Sequence, residues 1–271
     1  MQGIPHFIPT DVKIAYHNYL LKVGYHTLDF GSFVSAKAIP QMKDTKEVLA
    51  GLELENTDTR LLAIIANVRG ATEACAYDEI KYLGFPFSVS ETFQMRNTNS
   101  SLETALERVE DIQSIAVANN KELVVYLSMG FGNPYGDAWN AEIVLGWVEK
   151  LSSLGIKILA LSDTIGVSTP ESITYLFERL IPAYEDIEFG AHLHTRLDTW
   201  KEKMKAVYDS GCRRIDGALM GYGGCPMAKD DLTGNMPTEK IIEFLTEIDA
   251  PPDLNNNALK EALAFSPQVF L

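Results

Sequence analysis

Strand-like runs of apolar residues recur along the chain, with amphipathic helical patterns between them. The runs predict strands near Thr27–Gly31, Leu61–Val68, Tyr82–Phe87, Leu123–Met129, Ile156–Ser162, Glu188–His194 and Arg213–Ala218. The intervening patterns predict helices over Asp11–Val23, Ser101–Asn119, Ala138–Leu154, Pro170–Tyr184 and Asp198–Ser210. Thr10 reads as the N-cap of the first helix. Gly155 and Gly211 follow helices and suit the left-handed position that ends them. The stretch Pro251–Leu271 predicts an extra helix packed on the outside.

Strands alternating with helices imply a parallel sheet covered on its faces, an α/β architecture. No Gly-x-Gly-x-x-Gly turn opens the chain, so a dinucleotide-binding fold has no support. A closed (β/α)8 TIM barrel fits the 271 residues as one domain over 1–271, with 251–271 as the added helix. The strand count is seven, however, and the first element is a helix that in a barrel follows a strand. The expectation is therefore a TIM barrel that lacks its first strand in this chain. No Gly-, Pro- or Ser-rich linker marks a second domain, and no repeat exceeds the βα rhythm.

Composition narrows the partners. A hydrophobic content of 46% supports a large core and argues against disorder. The net charge of −14 argues against nucleic acid or an anionic membrane as the main partner. A negatively charged small substrate stays open, because a local site can oppose the overall field. Cys75, Cys212 and Cys225 are too few and too scattered for a disulfide framework, so a cytoplasmic location is expected. No apolar run approaches the roughly 20 residues of a membrane span, and the first residues lack a signal peptide's pattern.

In such a barrel, chemistry belongs at the C-terminal ends of the strands. Asp29, Asn67, Ser88, Ser128, Asp163, His192, His194 and Asp216 fall there. His192 and His194 are two apart in a strand and so face the same way. Two neutral imidazoles on one face can ligate a divalent metal. The plainer reading makes one a packed core histidine and the other a strand cap. Cys225 lies in Gly223-Gly224-Cys225-Pro226, either a thiol able to move protons or a small residue in a tight turn. Asn235 is a turn residue or an amide oxygen for a hard cation. Asp163 reads as a helix-start acid or an active-site carboxylate. Asp29 reads as a base or as the cap of the next turn. The Ser90–Asn97 segment reads as a loop at the reactive end, where Arg96 could meet a phosphate or carboxylate.

Taken together, these residues resemble the 3-hydroxy-3-methylglutaryl-CoA lyase family, among the metal-dependent lyase and synthase barrels related to pyruvate carboxylase. The resemblance rests on Gly31-Ser32-Phe33-Val34-Ser35 with Pro40-Gln41-Met42, Ser90-Glu91, Ser162-Asp163-Thr164-Ile165-Gly166-Val167, His192-Leu193-His194, Gly223-Gly224-Cys225-Pro226 and Gly234-Asn235. It implies retro-Claisen cleavage of an acyl-CoA to acetyl-CoA and acetoacetate, with a Mg2+ or Mn2+ ion held by His192, His194 and Asn235. By the same resemblance Cys225, Asp163 and Asp29 are catalytic, Asp29 standing where the family has a glutamate. Ser90 and Arg96 bind substrate, and a homodimer is the family expectation.

Three features depart from the family. Its opening strand ends in Arg-Asp, an enolate-stabilising cation and a metal-binding base, and neither is present; the match resumes at Met1-Gln2-Gly3. The expectation is a chain truncated at its N-terminus and inactive for want of that strand. The Cys225–Asn235 loop is one residue longer, with Lys229-Asp230-Asp231 in place of small residues. Asp198-Thr199 lacks the usual small residues. These departures keep two alternatives open, a related aldolase or Claisen-type synthase and a non-catalytic relative.

Overall fold

The computed structural model describes residues 1–4, 6–224 and 233–271. Seven parallel strands form one sheet in chain order: β1 (Thr27–Ser32), β2 (Arg60–Ile64), β3 (Ile80–Ser88), β4 (Glu122–Ser128), β5 (Ile158–Asp163), β6 (Glu188–Leu193) and β7 (Arg214–Asp216). Each expected strand is present. β1 and β7 are the sheet's edges, yet both line one cavity of about 1320 Å3, so the sheet is curled.

Eleven helices accompany the sheet among the described residues. They are α1 (Thr10–Val23), α2 (Thr45–Ala50), α3 (Val68–Cys75), α4 (Glu91–Thr98), α5 (Leu102–Ala118), α6 (Ala141–Ser153), α7 (Pro170–Ala183), α8 (Trp200–Asp209), α9 (Thr238–Glu247), α10 (Asn256–Phe265) and α11 (Pro267–Phe270). Their starts follow side-chain chemistry. Asn67, Ser90, Ser101, Asn140 and Thr169 each accept a hydrogen bond from a first-turn backbone N–H, and Thr169 forms a capping box with Ser172. Thr10 is instead the first residue of α1, and its hydroxyl donates to Asp44 Oδ2 at 2.8 Å. Gly155 and Gly211 adopt φ of +80° and +89°, as helix ends require.

Period-two alternation divides the buried residues into two layers. Leu62, Tyr82, Val124 and Ile158 pack inside the curl with Ile64 and Tyr126 against them. The opposite faces of the strands meet the helices, for example through the α7 stripe Ile173, Leu176, Phe177 and Leu180. The C-terminal helices cover α1, with the Phe265 ring 5.1 Å from Tyr19 and the Phe270 ring 5.6 Å from Tyr16. Residues 251–271 thus hold two short helices, α10 and α11. No helix among the described residues is long and apolar enough to cross a membrane.

His17 on α1 is buried, its Nδ1 2.7 Å from the carbonyl of Lys13. Burial pushes its pKa down from about 6.5 to about 4. The unfolded chain therefore takes up a proton before the folded one does. Stability from this group is full above pH 6.5 and falls as pH drops towards 4, by about 3 kcal/mol in all. Thermal unfolding between pH 7 and 4 should show the loss, and His17→Asn should flatten it.

Candidate functional site

β6 sets the site. Gly190 and His192 lie on its inner face, and His194 follows just past its end. The two rings are 5.7 Å apart, centre to centre, at 52° to one another. Two imidazoles that share one metal through bonds of about 2.1 Å have ring centres roughly 4.5–6.5 Å apart. The observed spacing falls in that range.

Each histidine has a defined support. His192 Nδ1 is 3.1 Å from Asp216 Oδ2, on the neighbouring strand at the paired register position. The Tyr126 ring meets His192 edge-on at 5.4 Å. An imidazole held by a carboxylate through one nitrogen presents the other outward, as metal-binding histidines do. His194 is 4% exposed, and burial pushes its pKa down to about 4. It hydrogen-bonds the backbone of Thr233, while its Nδ1 has no partner among the described residues. A neutral imidazole with one unmatched nitrogen suits a cation.

Asn235 faces the same cavity. It forms an isolated bridge with His194, and its Nδ2 donates to Tyr222 O at 3.0 Å. That bond leaves the amide oxygen to other partners. Gly223 is required here: its φ is +102°, and a Cβ on it would lie 2.9 Å from Asn235 Nδ2. Gly223 and Gly224 line the cavity, whereas Cys225 and the Lys229-Asp230-Asp231 segment lie outside the described residues. Among the described residues no cluster of three or more His, Cys, Asp or Glu side chains is placed to hold a metal. The donor set is thus two imidazoles and an amide.

Asp29 lies on the inner face of β1, where its side chain is exposed to the cavity. Desolvation chiefly, with the nearby Asp216 charge, raises its pKa to about 7. Water in the cavity screens part of that penalty, so its effect on stability is about 1 kcal/mol. The raised value means stability that is full below pH 3.8 and lost as pH rises through 7. Asp29→Asn should therefore unfold a few degrees higher than the parent at pH 8 and at the same temperature near pH 4.

Asp163 takes a different position. It is fully buried on the outer face of β5, since alternation gives the cavity to Ser162. Its oxygens accept from Val167 N at 2.8 Å, Ser168 N at 2.9 Å, Ser168 Oγ at 2.6 Å and Lys203 Nζ at 2.9 Å. Ser90 is likewise turned inward. It caps α4 and donates to Asp137 Oδ2 at 2.5 Å, and it does not line the cavity. The Ser90–Asn97 stretch is accordingly the cap and most of α4 rather than a loop. Arg96 does line the cavity, with its guanidinium 4.9 Å from the Tyr135 ring centre.

Sequence reasoning gave no role to Asp216 and overlooked Lys203. Asp216 sat in the strand-end set, two residues from Arg214 on one face. Lys203 carried a signal too, a lysine in the apolar phase of Trp200, Met204 and Val207.

Comparisons with known proteins agree with one another. A family described as HMGL-like matches residues 1–265. The chain is similar to the cytoplasmic 3-hydroxy-3-methylglutaryl-CoA lyase of Rattus norvegicus, at 31% identity over 88% of this chain and 68% of the relative. It is similar to the hydroxymethylglutaryl-CoA lyase YngG of Bacillus subtilis, at 30% identity over 97% of this chain and 87% of the relative. Among solved structures, the Bacillus subtilis HMG-CoA lyase superposes with a TM-score of 0.91 at 30% identity, covering 98% of this chain and 89% of that one. An HMG-CoA lyase from Acinetobacter baumannii, in complex with coenzyme A and 3-methylmalate, gives 0.91 at 28% identity, covering 99% and 87%.

Proposed function

The chain belongs to the HMGL-like family, and from that premise we propose that it cleaves 3-hydroxy-3-methylglutaryl-CoA to acetyl-CoA and acetoacetate. The observation that carries the reading is the convergence of His192, His194 and Asn235 on one cavity, with a His194 nitrogen unmatched among the described residues. The coenzyme A in the Acinetobacter baumannii structure supports an acyl-CoA as substrate. The relatives at 30% identity or more are named as lyases, which favours cleavage over the aldolase or synthase alternative.

In this reading His192, His194 and Asn235 hold a Mg2+ or Mn2+ ion. Such an ion polarises substrate oxygens and offsets the charge that develops as the bond breaks. Asp29 is the cavity carboxylate available to accept the tertiary hydroxyl proton, and a pKa near 7 suits a base working at neutral pH. The O–H electrons then form the ketone of acetoacetate. The carbon–carbon bond breaks, its electron pair passing to the thioester enolate. Cys225, by its family resemblance, returns a proton to the enolate carbon. Arg96 binds an anionic part of the substrate.

Asp216 keeps His192 oriented, and Asp163 and Ser90 act through the backbone they secure. The test is product analysis with 3-hydroxy-3-methylglutaryl-CoA and Mn2+ or Mg2+. Equal amounts of acetyl-CoA and acetoacetate support the reading, and turnover of a 2-oxo acid alone rejects it.

A further inference from the structure

A lysine ammonium is seldom sealed inside a protein, because it must replace its hydration shell. Lys203 on α8 is 2% exposed. Its Nζ has three donors and three acceptors in reach: Asp163 Oδ2 at 2.9 Å, Gly166 O at 3.0 Å and His194 O at 3.2 Å. The acceptors belong to the end of β5, the turn after it and the residue after β6. The side chain thus crosses from an outer helix to the rim of the barrel and joins three segments there.

Two of these ties lead to the cavity. His194 carries one of them on its own carbonyl, and its N–H donates to Asp163 O at 3.2 Å. The Gly166 turn supports the segment that bears Asn235. Thr233 Oγ1 donates to Ile165 O at 3.3 Å, and a Cβ on Gly166 would lie 2.7 Å from Thr233 Cγ2. Thr195 N, next to His194, donates to Gly234 O at 2.9 Å. One buried ammonium therefore fastens the backbone of His194 and the turn on which residues 233–235 rest.

We infer that Lys203 is a positioning residue, which sets the spacing of His194 and Asn235 across the cavity through its bonds to the His194 and Gly166 carbonyls. The inference rests on the metal-site reading above. The competing explanation is charge balance, in which Lys203 serves only to neutralise buried Asp163. The two differ when both charges are removed. Lys203→Met with Asp163→Asn leaves no unpaired charge and keeps an oxygen acceptor at 163, but it deletes the carbonyl ties.

The experiment compares the full chain with Lys203→Met and with the double variant. It records thermal unfolding, Mn2+ affinity by calorimetry and the 1H–13C ring resonance of His194. Positioning predicts that the double variant regains most of the melting temperature lost by Lys203→Met. Its Mn2+ affinity should stay at least tenfold weaker than the parent's, and its His194 resonance should be shifted or broadened. A double variant with parental Mn2+ affinity and an unmoved His194 resonance overturns the inference. If Lys203→Met does not fold, the double variant carries the comparison. If the parent binds no Mn2+, the metal reading fails, and the His194 resonance alone decides the role of Lys203.

Discussion

Replacing His194 with alanine should lower the cleavage rate by roughly 10^2–10^3-fold and abolish measurable Mn2+ binding, while leaving the fold intact. The rate follows from the loss of charge stabilisation at the breaking bond, which is worth several kcal/mol in comparable sites. The fold survives because the only ring hydrogen bond lost among the described residues is the one to the Thr233 backbone, the His194 Nδ1 having no partner there. Removal also takes away a buried imidazole with a pKa near 4. Its folded-state pKa lies below the unfolded value, so the parent loses stability as pH falls from about 6.5 to 4. His194→Ala should escape that loss and melt above the parent near pH 4. Asp216→Asn should weaken Mn2+ binding or rate by about 10–100-fold, because it releases the orientation of His192 without removing a donor. Calorimetry, steady-state kinetics and melting curves on the same samples separate these effects. A His194→Ala enzyme with parental rate would remove the imidazole from the mechanism.

Asp163→Ala should act on stability. The substitution strips the acceptor from Val167 N, Ser168 N and Ser168 Oγ and leaves the Lys203 ammonium buried without its counter-charge. Breaking one side of a buried pair costs about 3–5 kcal/mol. For a chain of this size that is a fall of roughly 6–20 °C in melting temperature. Measured well below that temperature, the rate should fall much less than in His194→Ala. The reverse pattern, an unchanged melting temperature with activity gone, would make Asp163 a catalytic group.

The strands were legible because parallel strands buried on both faces read as short apolar runs. The helices that escaped were short or polar, except the amphipathic α9, which escaped although it buries Ile241 and Phe244. α4 buries only Phe93 and Gln94, so its sequence carries little period, and its Ser90 cap was the signal to weigh. Val68 opens α3 rather than closing β2, which the preceding Asn67 cap explains. The His192 and His194 pair was legible because a spacing of two fixes a common face. The same rule places Ser162 and Asp163 on opposite faces, so a strand-end position alone did not give Asp163 its surroundings. The Lys203 network could not be read from spacing, because it joins residues up to 40 apart in sequence.

Cleavage of a branched acyl-CoA in this cavity should depend on a divalent metal. The most direct measurement is the yield of acetyl-CoA and acetoacetate from 3-hydroxy-3-methylglutaryl-CoA, followed with and without Mn2+ after chelation. Both products should form in equal amounts with the metal present and be lost on chelation. No cleavage by a folded, Mn2+-loaded protein, or a yield indifferent to chelation, would contradict this expectation.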